Sequence, residues 1–330
     1  MRGNYEPPYS SPVMSLSRAP ASAVRRLIRW AALYRKTGSA ALTLALVAEH
    51  ASVPALIALA RGGALIGNDG HVTLSYGGHD YMFALGASTA LGDVVDMLDA
   101  GCELEMEAGE ATLRLPCGVA FRLEPEAMAT NLSLIRETFY QGQYDFLNVV
   151  GRVVLDIGAN IGDTPLLFAS RGAKRVYGFE PFSFLAEQAA SNASQSLVGD
   201  RVQIFQLGVG ASSGAGFGRY ESTNPLGASV LSRSTVPSAD LEQVMTVSLE
   251  EAIRMCRLDP EERLVCKVDC EGCEFEIFSG DVLPALKSVD ELALEFHDLP
   301  PDSIVRVLER AGFAVQILKE GPRGHLHAVR

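Results

Sequence analysis

The chain has few aromatic residues and few positive charges for its length. Phe, Trp and Tyr make up 7% of the 330 residues, and only one Trp is present. Lys and Arg total 28 against 40 Asp and Glu, which gives a net charge of −12. A protein that binds nucleic acid would instead present a basic face to the phosphates. The composition therefore argues against a nucleic-acid partner.

The sequence also lacks an uninterrupted apolar run that could cross a membrane. Residues 39–60 have the length of a membrane span, but Glu49, His50 and Pro54 interrupt them. We expect two packed helices there. No apolar run near Met1 resembles a signal peptide, so we expect a cytoplasmic protein.

Positive charge is concentrated near the start of the chain. Residues 1–62 carry eight Lys and Arg against two Glu. Within them, residues 24–36 combine basic side chains with Leu27, Ile28 and Leu33, the pattern of a basic amphipathic helix. We expect a solvated face there, with weak contact to an anionic membrane surface as the alternative.

The first 130 residues divide into a tail and an accessory module. Residues 1–20 are rich in Pro and Ser, and we expect them to be disordered. Residues 21–130 are expected to form helices and a small α+β module. The elements predicted for this module include a hairpin over 71–85, a helix over 91–98 and a second hairpin over 102–115.

The most informative stretch is residues 153–164. An apolar, β-branched run ends in an acid, and a glycine turn then leads into a helix. Glycine lets the backbone approach a ligand closely, and a helix N-terminus presents free N–H groups. The residues of this stretch that we predict to bind a cofactor are Asp156, Gly158, Ala159, Asn160 and Gly162.

A second apolar strand ends in an acid, Glu180, 24 residues after Asp156. An acid in this place can bind both ribose hydroxyls of a nucleoside. Asp156 would repel a pyrophosphate and attract a cationic ligand. The two acids therefore favour S-adenosylmethionine, which carries a sulfonium and an ammonium group, over NAD. Pro181 and Gly208 complete the predicted cofactor site.

The most specific motif begins at Lys267 and reads K-x-D-x-E-G-x-E, followed by Glu295-Phe296-His297. Together with other pieces of the chain, it resembles the FkbM-type methyltransferases, a branch of the class I S-adenosylmethionine-dependent enzymes. Those other pieces are 137–140 with Tyr144, 156–162, 179–181 and 248–251. The resemblance implies a methyltransferase domain over 131–330, and acceptor hydroxyls on polyketides, sugars or glycolipids.

Strands and helices alternate from residue 152 onward. This order predicts an α/β fold with a doubly wound, mainly parallel Rossmann-like sheet. Residues 313–318 and 325–329 are predicted to form a terminal antiparallel pair, as in the class I methyltransferases that the sequence resembles. Ligands of such sheets bind at the carboxyl ends of the strands, near the switch in strand order.

Candidate catalytic residues follow the fourth and fifth strands of the predicted sheet. Methyl transfer requires an aligned nucleophile, and an alcohol acceptor must also lose a proton to a base. Asp269 and His297 are the candidate bases, and Lys267 is expected to orient Asp269 or to lower the pKa of the acceptor hydroxyl. Glu271 and Glu295 are candidate substrate-binding residues. The alternatives are a structural salt bridge between Lys267 and Asp269, and a packing role for His297.

The sequence contains no dedicated metal-binding motif. We predict no metal, although the acidic residues near His297 leave a Mg²⁺ site open as an alternative. The spacing of Cys266, Cys270 and Cys273 resembles the iron–sulfur motif of radical S-adenosylmethionine enzymes, but Cys266 lies within an apolar strand. We therefore expect all six cysteines to be small buried side chains in a reducing compartment.

Taken together, these features predict an S-adenosylmethionine-dependent methyltransferase. We expect O-methylation of a small-molecule or carbohydrate acceptor. A protein that binds the cofactor without turnover and an NAD-linked oxidoreductase remain the alternatives. The sequence does not predict the oligomeric state.

Overall fold

The computed structural model describes residues 64–66, 71–84, 90–107, 110–219, 229–231 and 242–330. Three predictions lie outside these residues: the disordered tail over 1–20, the basic amphipathic helix over 24–36 and the two packed helices over 39–60. Within the described ranges, no helix is long and apolar enough to cross a membrane.

Among the described residues, two small antiparallel sheets and two α-helices precede the main sheet. In chain order they comprise β1 (Ala64–Ile66), β2 (His71–Tyr76), β3 (His79–Ala84), α1 (Leu91–Asp99), β4 (Glu103–Glu107), β5 (Glu110–Arg114), β6 (Ala120–Leu123) and α2 (Met128–Tyr140). The first sheet has the order β1-β2-β3 and the second β4-β5-β6. Both predicted hairpins and the helix between them are present. Strand β6 was not predicted.

Strands and helices alternate through the rest of the chain, as the sequence predicts. In chain order these elements are β7 (Val153–Ile157), α3 (Asp163–Ser170), β8 (Arg175–Phe179), α4 (Ser183–Gln195), β9 (Val202–Phe205), β10 (Gly208–Gly210), β11 (Gly214–Arg219), β12 (Ser229–Leu231), β13 (Glu242–Ser248), α5 (Leu249–Met255), β14 (Leu264–Val268), α6 (Glu274–Ile277), α7 (Leu283–Leu286), β15 (Val289–His297), α8 (Asp302–Arg310), β16 (Ala314–Lys319) and β17 (Arg323–Val329).

The central sheet has seven strands in the order β16-β17-β15-β14-β7-β8-β9. The strands from β15 to β9 are parallel, whereas β17 runs antiparallel to both of its neighbours. The predicted doubly wound sheet with an antiparallel terminal pair is confirmed. From β7 the chain builds outward through β8 and β9, then returns to add β14 on the other side. The carboxyl ends of β7 and β14 therefore flank the topological switch point, where ligands of this fold class bind.

Helix α4 connects the accessory sheet to the main sheet. The side chain of Asn192 on this helix is fully buried. Its Oδ1 accepts a hydrogen bond from Arg122 N of β6 at 2.9 Å, and its Nδ2 donates to Ile161 O at 2.8 Å. One buried apolar cluster contains Phe121 of β6 together with Phe182 at the start of α4. The boundary proposed at residue 131 lies within helix α2, and it stays a prediction.

We expect Asn192→Ala to lower the free energy of unfolding by about 2–4 kcal/mol, because the Arg122 N–H and the Ile161 carbonyl would lose their partner in a buried place. Urea denaturation monitored by circular dichroism measures this. The matched control is Gln195→Ala, an exposed residue on the same helix that bonds only within its own turn. Equal stability of the two variants would contradict the connecting role of Asn192.

Candidate active site

A cleft opens at the carboxyl edge of the central sheet, where β7, β8, β14 and β15 end. Helix α2 and the segment that follows it contribute Thr138, Gln143 and Tyr144 to its wall. Most of the residues predicted to form the site line this cleft. They are Gly158, Asn160, Glu180, Pro181, Gly208, Lys267, Asp269, Glu271 and Glu295.

Asp156 does not face the cleft, and the prediction that it attracts a cationic ligand directly is wrong. Its side chain is completely buried. Oδ1 lies 3.1 Å from Lys267 Nζ, and Oδ2 accepts a hydrogen bond from the Thr164 hydroxyl. The carboxylate is thus occupied within the protein on both sides. Its function is to hold Lys267.

The glycine turn is shaped by close packing within the protein. Gly158 has a φ of +83°, and a Cβ placed on it would lie 1.7 Å from the carbonyl oxygen of Asp269. Gly162 also has a positive φ, and a Cβ there would lie 3.2 Å from Ala189 Cα of α4. Ala159 is fully buried. Ala159 and Gly162 were predicted to bind the cofactor, but they do not line the cleft. At position 158 only glycine fits, because any Cβ would collide with the backbone of Asp269.

Glu180 and Asn160 present hydrogen-bond acceptors at the β7–β8 end of the cleft. Glu180 Oε2 accepts from Asn160 N at 2.9 Å, and Oε1 accepts from Phe182 N at 3.1 Å. Burial raises the pKa of Glu180 to about 7, although these two backbone N–H groups act in the opposite direction. Asn160 Oδ1 is buried and has no hydrogen-bond partner within the described residues. This end of the cleft therefore suits a ligand that carries hydroxyl groups.

Lys267 is a buried cation that links strands β7 and β14. Its side chain is 2% exposed, and Nζ donates to Gly158 O at 2.7 Å in addition to its contact with Asp156. Nζ also lies 3.8 Å from Asp269 Oδ2. Burial alone would lower the pKa of Lys267, but the charges of Asp156 and Asp269 outweigh it and raise the pKa well above its usual range. Lys267 therefore both positions Asp269 and forms the structural ion pair named as the alternative.

Four carboxylates surround His297 at the β14–β15 end of the cleft. On the Nδ1 side, Glu274 Oε1 lies 3.0 Å from Nδ1 and accepts from the backbone N of His297 at 2.8 Å. On the Nε2 side, the nearest oxygens of Glu271, Glu295 and Asp269 lie 3.5, 3.6 and 4.0 Å away. Burial alone would lower the pKa of His297, but the hydrogen bond to Glu274 and the neighbouring carboxylates raise it to about 9.

The three carboxylates on the Nε2 side are held from outside by other groups. Asp269 Oδ2 lies 3.5 Å from the Tyr144 hydroxyl, Glu271 pairs with Arg323 at 3.1 Å, and Glu295 is contacted by two side chains. Those two are Gln143 Nε2 at 3.3 Å and His325 Nε2 at 3.4 Å.

Four residues that contact this acidic group were not predicted from the sequence: Glu274, Gln143, His325 and Arg323. Glu274 is the last acid of the K-x-D-x-E-G-x-E motif, but the motif does not indicate a contact with His297. Gln143 and His325 carried no motif signal. They reach Glu295 from elements at both ends of the domain, so their role depends on the assembled fold.

Cys270 and Cys273 form a disulfide in the loop between β14 and α6. The expectation that every cysteine is reduced and buried is therefore wrong for this pair, and also for Cys117, which is exposed. Burial is confirmed for the remaining three, Cys102, Cys256 and Cys266. With Cys266 inside strand β14 and the other two joined, the three thiols do not form an iron–sulfur site.

Comparison with known proteins finds similarity to a methyltransferase family in part of the chain. Residues 156–315 match the family model described as the methyltransferase FkbM domain. A curated relative, the AMB antimetabolite synthetase AmbE of Pseudomonas aeruginosa, is 24% identical over 306 residues. The match covers 75% of this chain and 14% of the synthetase, so the chain spans only a small part of that relative's length.

Two solved structures are similar to part of the chain. The methyltransferase FkbM of Methylobacillus flagellatus is 15% identical with a TM-score of 0.39, and the match covers 62% of this chain and 54% of that one. A magnesium protoporphyrin IX methyltransferase from Synechocystis, crystallised with bound S-adenosylmethionine, is 16% identical with a TM-score of 0.33. That match covers 61% of this chain and 78% of the methyltransferase.

We expect Lys267→Met to lower the free energy of unfolding by about 3–5 kcal/mol, because the fully buried Asp156 would lose its charged partner. Chemical denaturation at pH 7 measures the loss. Asp156→Asn combined with Lys267→Met should recover part of it, since no uncompensated charge would then remain. Lys287→Met, at an exposed position, is the matched control. A loss no larger than in this control would contradict the structural role of the ion pair.

Proposed function

We propose that this chain transfers a methyl group from S-adenosylmethionine to a hydroxyl of a small molecule or carbohydrate, a proposal supported by the match of residues 156–315 to the methyltransferase FkbM domain. The observation that carries it is the position of Asp269. This carboxylate stands at the carboxyl end of β14, lines the cleft and is 26% exposed.

The β7–β8 end of the cleft fits the nucleoside part of S-adenosylmethionine. Glu180 offers a buried carboxylate to the ribose hydroxyls, and the unpaired Oδ1 of Asn160 offers a further acceptor. Gly208 and Pro181 line the same region with little side-chain bulk. When bound, the cofactor supplies an electrophilic methyl group on a positively charged sulfur.

Asp269 is the residue best placed to take the proton of an acceptor hydroxyl. It faces the cleft, whereas His297 is 4% exposed and lies behind Asp269, Glu271 and Glu295. As the acceptor oxygen forms its bond to the methyl carbon, the carbon–sulfur bond would break to leave S-adenosylhomocysteine, and the proton of the hydroxyl passes to the Asp269 carboxylate. Lys267 keeps that carboxylate in place from the buried side. His297 then positions the acidic residues and is not itself the base.

The negative charge of the cleft and the name of one relative support this acceptor class. Six acidic residues line the cleft, which is unfavourable for a phosphate backbone: Glu137, Asp163, Glu180, Asp269, Glu271 and Glu295. The relative from Pseudomonas aeruginosa is an antimetabolite synthetase, a name that points to small-molecule metabolism. A neutral, hydroxyl-bearing metabolite or sugar fits both facts.

Release of S-adenosylhomocysteine in the presence of hydroxylated acceptors tests the function. A panel of free sugars, amino sugars, glycosides and hydroxy acids, incubated with S-adenosylmethionine and analysed by mass spectrometry, would show products heavier by one methylene. Binding of S-adenosylhomocysteine without product from any acceptor class would instead favour a protein that binds the cofactor without turnover. Products methylated only on nitrogen would contradict the O-methyl assignment.

For Glu180→Gln we expect binding of S-adenosylhomocysteine to weaken by about 1.5–3 kcal/mol at pH 8, through the loss of charge-assisted hydrogen bonds to the ribose. The native pKa of about 7 adds a pH signature. Since the ionised carboxylate is the binding form, affinity of the native protein should rise by about tenfold from pH 6 to pH 8.

Calorimetry at pH 6, 7 and 8 checks both expectations. The Gln side chain does not titrate, so the pH dependence should flatten in the variant. Glu187→Gln, an exposed position on α4, serves as the control and should bind as the native protein does. An unchanged dissociation constant in Glu180→Gln would remove this residue from the cofactor site.

Replacement of Asp269 by Asn keeps the size of the side chain and removes the proton acceptor. We expect turnover to fall by about 10²–10⁴-fold, while the affinity for S-adenosylhomocysteine changes much less. Single-turnover assays with an acceptor found in the panel measure the rate. The exposed Asp200→Asn is the matched control. Wild-type turnover in Asp269→Asn would show that proton removal does not depend on this carboxylate.

A further inference from the structure

The acidic end of the cleft has the form of a cation site. We propose that Asp269, Glu271 and His297, with Glu295 beside them, bind a divalent cation that also receives the acceptor hydroxyl. The proposal deepens the O-methyltransferase function and rests on it for the role of the cation. The evidence for binding comes from the geometry of the side chains alone.

The ligand atoms are grouped at distances that a single ion can span. One oxygen each from Asp269 and Glu271 and one ring nitrogen of His297 lie within 4.8 Å of one another. A Glu295 oxygen stands 3.6 Å from the same Nε2. An octahedral cation with bonds of about 2.1 Å separates adjacent ligands by roughly 3 Å and opposite ligands by roughly 4.2 Å. Small side-chain movements would therefore bring these atoms into a coordination sphere.

His297 is held in the orientation that a metal ligand needs. Glu274 is fully buried and fixes the ring through Nδ1 and through the backbone N of the same residue. Nε2 therefore points away from Glu274 and toward Asp269 and Glu271. It is buried without a hydrogen-bond partner among the described residues. A carboxylate that orients a histidine from behind is the usual support of a metal-binding imidazole.

The excess negative charge at this end of the cleft also favours a bound cation. The positive charge beside the three carboxylates is limited: Nε2 of His297 carries at most one proton, Lys267 is shared with Asp156, and the Arg323 side chain is 54% exposed. A divalent ion that binds Nε2 displaces that proton and brings a larger charge to the same place. Carboxylates that are partly removed from water repel one another unless a cation lies between them. A divalent ion among Asp269, Glu271 and Glu295 would remove that repulsion.

The ligand set favours an ion of the Mg²⁺ or Mn²⁺ class. Carboxylate oxygens suit both ions, and one imidazole is well tolerated by Mn²⁺. Three or four protein ligands leave coordination positions open on the cleft side. A hydroxyl oxygen bound there has a lowered pKa, and its proton passes to the second oxygen of Asp269 as in the proposed function.

Titration of the metal-free protein, with all 330 residues present, with Mn²⁺ tests the site. The protein is first treated with EDTA, and the EDTA is then removed. During the titration, free Mn²⁺ is followed by electron paramagnetic resonance. We expect one bound Mn²⁺ per chain. Glu271→Gln and Glu274→Gln should each weaken binding by at least tenfold, the first by removing a ligand and the second by releasing His297. Glu309→Gln, an exposed acid on α8, should bind Mn²⁺ as the native protein does.

Binding of S-adenosylhomocysteine verifies that each variant is folded before it is titrated. Absence of Mn²⁺ binding by the native protein at millimolar concentration overturns the proposal, as does undiminished binding in folded Glu271→Gln and Glu274→Gln. Full methyl transfer in excess EDTA would also overturn the catalytic role of the cation while leaving the O-methyltransferase function intact. Stoichiometric Mn²⁺ binding without transfer to any hydroxyl acceptor would have the opposite meaning: the site stands and the proposed function fails.

Discussion

The buried contact between Lys267 and Asp156 is the interaction on which the site depends. It joins β7 and β14 near their carboxyl ends, and these are the two strands that flank the switch in strand order. Lys267 also donates to Gly158 O, and Asp269 O packs against Gly158 so closely that no side chain fits there. Burying two charges costs solvation energy that their attraction only partly offsets. What the pair provides is position: it fixes the glycine turn and Asp269 relative to each other.

The sequence predicted the sheet because its signals are local. Apolar strands, glycine turns and the alternation with helices can each be read within a few residues, and the two hairpins of the accessory module follow the same rule. The cleft residues at strand ends were predictable for a related reason, since the carboxyl ends of parallel strands meet at one edge. Glu180, Asp269 and Glu295 all lie there.

The predictions that failed depend on partners distant in sequence. Asp156 turns inward because Lys267, on a different strand, neutralises it. Gly162 serves a contact with α4, which no local pattern around it reveals. The role of Glu274 exists only because β15 brings His297 beside it. The Cys270–Cys273 bridge lies within the K-x-D-x-E-G-x-E motif itself, and the apolar character of the preceding strand led to the wrong expectation for these two residues.

The excess of acid in the cleft has a consequence for catalysis. Methyl transfer discharges a sulfonium, so a strongly negative site stabilises the cationic donor more than the transition state, in which that charge is already fading. Glu180 lies at the nucleoside end of the cleft, but Asp269, Glu271 and Glu295 converge on the opposite end. A divalent ion held by these three carboxylates and His297 would neutralise that end of the cleft. The ion would also stabilise the negative charge that grows on the acceptor oxygen during the reaction. The same carboxylates would then favour the transition state.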